Sequence, residues 1–354
     1  MGRHRTNMTY KKQKRRRRIF WFLIFPILLI ASVTATYGVH LYKKAENAMG
    51  AAYDDEQGQS SLRDKKVNPK IDNVSILLIG VDGGEKRGVE NTRSDALMVA
   101  TFNEKQKSVK LMTIPRDAYV YIPEVEYSTK INHAHAFGGP RATIETVENL
   151  LDIPIDYYVS LNFEAFMSVI DALDGIDIEV PFAFSEQDSN DKANAISLEE
   201  GWQTLNGEEA LALARTRKMD SDFMRGQRQQ EIMKAIAKKA ASATSVLKYG
   251  SVIDAIGENM RTNMTFDEMK AFVDYGVSGD LDIESFSLKG EDMYQMNSLG
   301  QNIYYYGLDE VNLEEVKNEL KQHLEVASDV PTSEDENDLN ETNHQAATVE
   351  ENNY

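Results

Sequence analysis

"VSILLIGVD", residues 74–82, is a continuous apolar run that ends in Gly and Asp. Such a run, short and closed by turn-forming residues, reads as a buried strand. Just downstream, "ALMVATFN" (96–103) and "SVKLMTIPRD" (108–117) flank the turn-like "EKQK" and read as a hairpin. Further out, "RATIETVENLLD" (141–152) has helical spacing and "YYVSL" (157–161) is strand-like. "FEAFMSVIDALDG" (163–175) is an amphipathic helix stopped by Gly, "IDIEVP" (176–181) another strand, and "FMRGQRQQEIMKAIAKKAAS" (223–242) a long amphipathic helix. Residues 265–323 add a helix, the short strands "IESFSL" and "NIYYYGL", and a closing helix. Helices alternating with strands predict an α/β fold, a three-layer α-β-α sandwich with a central mixed sheet.

The flanks carry different information. Residues 19–39, "IFWFLIFPILLIASVTATYGV", hold no charged side chain over 21 positions. That is enough helix to cross a bilayer core of about 30 Å. The preceding residues 1–18 contain nine Lys or Arg and no acid, so the positive-inside rule keeps them in the cytoplasm and places the chain beyond residue 39 outside. A cleaved signal peptide would have a shorter apolar region. The expectation is a signal anchor and a single-pass type II protein of the cell membrane. Residues 40–70 read as a polar stalk, 71–325 as the extracellular folded domain, and 326–354 as a disordered acidic tail.

Charge narrows the partners. The chain has 39 Lys and Arg against 57 Asp and Glu, a net charge of −18. Beyond residue 39 the balance is 30 against 57. Such a body repels polyanions, so nucleic acid is a poor partner and any phosphate must be held by a local cluster. The absence of cysteine rules out disulfides and thiolate metal sites.

One local cluster stands out. "ARTRKMDSDFMRGQRQQ" (214–230) packs five cations and two aspartates into seventeen positions. A solvated helix face, with ion pairs to Asp220 or Asp222, explains any one of these arginines. It does not explain the set, because Arg93 and Arg116 make similar appearances at strand ends. Arginine's planar fork grips phosphate oxygens in pairs. Arg215 and Arg217 flank a single residue, so an extended stretch aims both the same way. Arg225, Arg228 and Gln229 are spaced i, i+3 and i+4 in the first turns of a helix, at the terminus that favours anions.

Two carboxylates, Asp82 and Asp95, sit at neighbouring strand ends and suit a hard cation such as Mg²⁺, with Mn²⁺ as an alternative. Other motifs carry less. "GVDGGEKRG" is neither G-x-G-x-x-G nor a P-loop. His133 and His135 in "NHAHAF" lack a third zinc ligand nearby. No G-x-S-x-G offers an acyl-transfer serine. The Phe163–Phe166–Met167–Ile170–Leu173 face reads as core, or as a surface for a lipid chain.

In order along residues 74–240, "LLIGVD", "RSDALMV", "TIPRD", "KINHAHAFGG", "DYYVSLNFEAFMSVIDALDGIDIEV", "LNGEEALALARTRK" and "DFMRGQRQQ" resemble the LytR-CpsA-Psr family of Gram-positive cell-envelope proteins. The resemblance implies an enzyme that moves a glycopolymer (teichoic acid, capsule or similar) from an undecaprenyl-pyrophosphate carrier to a muramic acid hydroxyl of peptidoglycan. It implies that Asp82 and Asp95 hold Mg²⁺ on the pyrophosphate. Arg93, Arg116, Arg215, Arg217 and Arg225 would bind its oxygens, with Gln229 completing the site. Many relatives carry Arg two residues after the first Asp; here Gly84 stands there, and Arg87 is the nearby substitute. Asp117 and Asp222 are the candidates for taking the hydroxyl proton. A pyrophosphate hydrolase, a membrane regulator and a polyanion-binding adhesin are the competing readings. Eighteen cytoplasmic residues are too few for a DNA-reading fold, and an adhesin has no use for paired metal-binding aspartates.

Overall fold

The structure is a computed structural model. It describes most of residues 36–54, then 59–82, 92–217, 222–241, 252, 259–277, 282–297 and 299–326. The membrane span expected at 19–39, all but three of its residues, and the tail beyond 326 lie outside the described residues, as does the loop holding Gly84 and Arg87. Among the described residues no helix is long and apolar enough to cross a membrane.

The apolar run at 74–81 is β1 (Val74–Val81), with β2 (Ser94–Asn103) and β3 (Ser108–Ile114) completing an antiparallel meander. A small hairpin, β4 (Tyr119–Ile122) and β5 (Tyr127–Lys130), precedes helix α1 (His133–Leu151). Then come β6 (Tyr157–Asn162), α2 (Phe163–Ala172) and β7 (Ile176–Val180). Two short strands, β8 (Phe184–Glu186) and β9 (Ile196–Leu198), pair with each other, and β10 (Gly201–Leu205) pairs with β7. Helices α3 (Gly207–Arg215) and α4 (Asp222–Ala240) come next, then β11 (Met260–Thr262) and α5 (Phe266–Val277). The chain continues through β12 (Asp282–Ser287), the hairpin β13 (Gly290–Met296) and β14 (Asn302–Leu308), and α6 (Glu310–Leu324).

The central sheet has the order β11-β6-β1-β2-β3-β12. β1 runs parallel to β6 and β3 parallel to β12, while the other neighbours are antiparallel, so the sheet is mixed as expected. Period-two alternation sends Leu77, Ile79 and Val81 to one face. There they join Leu97, Val99, Met112 and Ile114 in a core with Ala134, Ile144 and Val147 of α1 and Val316 and Leu320 of α6. The opposite face packs Met98, Ala100 and Leu111 against Met233 of α4. Gly226 lets α4 approach closely: a Cβ there would lie 3.0 Å from the Thr113 side chain.

Two expectations need correction. Helix α1 begins at His133, eight residues before the expected start, and is broken at Gly138 (φ −154°) and Gly139 (φ +63°). Pro140 then opens its second segment, where a missing N–H costs nothing. Residues 40–70 do not form a free stalk. Ala48 and Ala52 pack with Met260 and Phe266, and Tyr53 bridges to Thr262 in β11. Arg63 grips Asp156 through two hydrogen bonds of 2.8 Å and donates a third to the Asn73 carbonyl at 3.0 Å. Asp156 also accepts from the Ser75 N–H at 2.9 Å, so the segment is tied to the start of β1.

Candidate active site

A cavity of about 440 Å³ opens at the C-terminal end of β1, on the α4 side of the sheet. Its floor is apolar, with Leu78 and Gly80 of β1, Met98 of β2, and Val159 and Leu161 of β6. Phe163 and Phe166 of α2, Leu211 of α3 and Met233 of α4 wall it. Asp82, Asp95, Arg116, Arg215, Arg217, Arg225 and Gln229 share the same cavity. Four guanidinium groups against two carboxylates make its polar end cationic, in a body whose overall charge is strongly negative.

Asp95 reaches this cavity because of a register shift. The ladder pairs Ile79 with Leu97 and Gly80 with Ala96, but then Val81 with Ser94 rather than Asp95. Asp95 is thus the extra residue of a β-bulge. Regular pairing would turn it with Leu97 and Val81 into the apolar core below α1. The bulge turns it to the cavity instead, a frequent use of bulges beside functional sites. Asp82 comes directly after β1, so the two carboxylates reach the cavity from adjacent strand ends.

Arg116, just beyond β3, forms an ion pair with Asp95. Its Nε is buried without a hydrogen-bond partner and lies 3.6 Å from an Asp117 oxygen. Asp117 is 6% exposed and does not line the cavity; the Lys130 ammonium sits 2.8 Å from its other oxygen. That position is poor for a general base and good for fixing Arg116. Lys130 opens the family-like stretch 130–139, but nothing in the sequence alone pairs it with Asp117. It acts from β5, thirteen residues beyond Asp117, and lies 5.5 Å and 5.8 Å from the ring centroids of Tyr304 and Tyr305.

The arginine cluster divides. Arg215 ends α3, with its guanidinium 5.1 Å from the Phe163 ring centroid, and Thr216 continues in an extended conformation to Arg217. Both arginines line the cavity, as does buried Arg225 of α4. Arg228 departs from the expected set. It is 7% exposed and donates from Nε to the Leu213 carbonyl at 3.2 Å and from a terminal nitrogen to the Thr216 carbonyl at 2.6 Å. At about 100° per residue, i+4 lies about 40° to one side of i and i+3 about 60° to the other, so Arg228 and Gln229 diverge by about 100°. Gln229 therefore shares the cavity with Arg225, and Arg228 turns to cap the C-terminal carbonyls of α3. Gln229 adds a bond to the Ala214 carbonyl at 3.3 Å.

Arg93 also stands apart. It is exposed, does not line the cavity, and sits near His133 at the start of α1. Burial, reinforced by Arg93 and Lys130, holds His133 at a pKa of about 4 against the pull of Asp117, so its ring is neutral at pH 7. His135 is buried, and Nδ1 donates to the Thr92 carbonyl at 2.7 Å; burial lowers its pKa as well. That carbonyl bond makes His135 a structural histidine, and among the described residues no group of three His, Asp or Glu could hold a metal. Asp222 opens α4, but its side chain lies outside the described residues.

Known proteins resemble this chain along most of its length. A family profile described as LytR_cpsA_psr family matches residues 36–322. The polyisoprenyl-teichoic acid–peptidoglycan teichoic acid transferase TagT of Bacillus subtilis is 38% identical over 323 residues, 89% of this chain and 98% of that protein. A solved structure of TagT bound to LIIa-WTA is similar at a TM-score of 0.65 and 39% identity, covering 77% of this chain and 98% of that one. Another, the LytR-CPS2A-psr family protein YwtF (TagT) with bound octaprenyl pyrophosphate lipid, gives 0.60 at 36% identity over 78% and 99%.

Proposed function

This chain belongs to the LytR-CpsA-Psr family, and from that premise we propose that it transfers a wall glycopolymer from a polyprenyl-pyrophosphate carrier to peptidoglycan. One observation carries the reading: a single cavity joins an apolar floor to a ring of four arginines and two aspartates. The apolar part suits a polyprenyl chain, and the cationic part suits a pyrophosphate. A relative's structure holds octaprenyl pyrophosphate lipid.

Asp82 and Asp95 fit a divalent ion. Both are hard oxygen donors facing one cavity from adjacent strands, and they leave positions for phosphate oxygens. Bound there, Mg²⁺ or Mn²⁺ would neutralise charge on the pyrophosphate. Arg116, Arg215, Arg217 and Arg225 hold phosphate oxygens and stabilise the charge that spreads over them in the transition state. Asp117 and Lys130 position Arg116, and Arg228 positions the segment bearing Arg215 and Arg217.

In the reaction, a muramic acid 6-hydroxyl oxygen bonds to the phosphorus that carries the glycan. The bond from that phosphorus to the bridging oxygen breaks, and polyprenyl phosphate leaves with the bridging oxygen and its electron pair. The hydroxyl proton passes to a carboxylate. With Asp117 engaged by Lys130, Asp222, three residues ahead of Arg225, is the candidate. The chain acts as a type II protein of the cell membrane, its anchor at residues 19–39 holding the site beside the lipid-bound donor, a gain in effective concentration.

Incubating the full chain in detergent with a synthetic lipid-pyrophosphate glycan, Mg²⁺ and peptidoglycan oligomers tests this. Mass spectrometry should find the glycan joined to peptidoglycan through a phosphodiester. Release of free phosphorylated glycan alone would make the protein a hydrolase.

A further inference from the structure

On the transferase reading, the leaving polyprenyl phosphate lies in the cavity, on the sheet face that carries Leu78 and Met98. The attacking and leaving oxygens lie roughly in line across the phosphorus. The surface next to the polar end of the cavity is the start of α1, held to the Thr92 carbonyl three residues before the cavity-lining Asp95, and it is open to an acceptor.

A row of rings stands there. His135 pins the start of α1 to the Thr92 carbonyl, directly before Arg93. One turn of this segment carries His133 and Phe137, whose ring centroids are 6.0 Å apart. Tyr127 of β5 continues the row, 6.2 Å from Phe137. Phe137 and Tyr127 are 40% and 50% exposed, so part of each ring meets solvent. Scattered apolar residues on a surface need no explanation. A contiguous aromatic row beside the exposed Arg93, at the edge of a reaction centre, does.

We infer that His133, Phe137 and Tyr127 form the acceptor subsite, on which an amino-sugar of the peptidoglycan strand lays its C–H face while Arg93 receives a carboxylate of the peptide stem. The occupant is set by chemistry. A sugar ring pairs apolar C–H edges with hydroxyl and amide groups, which suits a flat aromatic shelf with a polar surround. Uncrosslinked peptide stems bear the negative charge that Arg93 complements. A second lipid would need an apolar trough, and the acidic body repels a polyanion.

The subsite rests on the transferase reading, so its test has two arms. In the first, Phe137→Ala and Tyr127→Ala in the full chain should each raise the acceptor KM by roughly tenfold, an aromatic-contact effect of about 1.4 kcal/mol. The donor KM should stay within about twofold, as should every constant of Phe137→Trp, since a ring face is kept. Phe137→Leu preserves apolar packing but lacks the flat face, so it should behave like Phe137→Ala and guards against a folding artefact. In the second arm, soluble peptidoglycan oligomers are titrated onto the protein without donor. Weaker binding to Phe137→Ala than to the wild type supports the subsite. An unchanged acceptor KM, a rise in donor KM instead, or equal oligomer binding by wild type and Phe137→Ala overturns it. A wild type that binds oligomers but joins nothing to them overturns the transferase reading and leaves the subsite standing.

Discussion

Replacing Arg228 by Ala separates the two roles that arginines play in this molecule. Its guanidinium donates to the Leu213 and Thr216 carbonyls and lies 5.8 Å from the Phe182 ring centroid. Hydrogen bonds to a charged group contribute about 1.5–3 kcal/mol each. Two such bonds would give up to about 6 kcal/mol, but water entering the vacated space re-solvates part of the α3 terminus, so the lower end of about 3 kcal/mol is expected. For a domain of this size, each kcal/mol moves the midpoint by roughly 2–4 °C, which puts Arg228→Ala about 6–12 °C below the wild type. Arg228→Lys should recover part of the loss, because an ammonium can reach one carbonyl but lacks the fork that spans two. Arg215→Ala and Arg217→Ala, by contrast, should hold the midpoint within about 2 °C and lose about tenfold or more in turnover. Thermal unfolding by circular dichroism, read beside the transfer assay, makes the comparison. An Arg228→Ala protein with a wild-type midpoint and no turnover would refute the reasoning and return Arg228 to the phosphate site.

Three further outcomes are expected. Asp82→Ala and Asp95→Ala should abolish Mg²⁺-dependent turnover while the circular dichroism spectrum is unchanged; full activity of both in metal-free buffer would remove the metal site. His323 contacts the Thr101 and Ser108 hydroxyls at 2.8 Å and 2.9 Å, and burial together with Lys110 holds its pKa at about 4, below the ordinary 6.5. The unfolded state therefore binds the proton first, and the stability His323 contributes, complete above about pH 6.5, is lost as pH falls toward 4. Melting midpoints from about pH 7.5 to about pH 4.5 should accordingly drop more steeply for the wild type than for His323→Gln, and parallel curves would count against this. Protease added to intact protoplasts should remove the folded domain, and digestion only after lysis would reverse the expected topology.

Much of this protein is written locally. The apolar run 74–81, the meander it begins, and the amphipathic helices are set by side-chain periodicity, which acts over a few residues and is visible in the chain itself. The charge arithmetic is equally local: an acidic body can hold phosphate only where arginines cluster, and the cluster at 214–230 is plain in the sequence. The docked 40–70 segment is not legible there, because its anchors are single residues whose partners lie far away, Arg63 on Asp156 and Ser60 on Glu148. Nor are the short hairpins β4–β5 and β8–β9, whose strands of three or four residues carry too little pattern, nor β13, the partner of the expected strand β14.

Within the site, tertiary structure decided direction where sequence supplied only residue types. Asp95 faces the cavity because the pairing of β2 with β1 slips by one residue, a property of two strands together. Arg228 leaves the arginine set because the end of α3 offers carbonyls on its side of α4, while Arg225 and Gln229 line the cavity. Asp117 becomes a support for Arg116 because the β4–β5 hairpin delivers Lys130 to its side. Sequence supplied the groups suited to phosphate; the long-range packing of strand ends and helix termini chose which of them face the cavity, because a side chain's direction depends on register and on neighbours that local sequence does not encode.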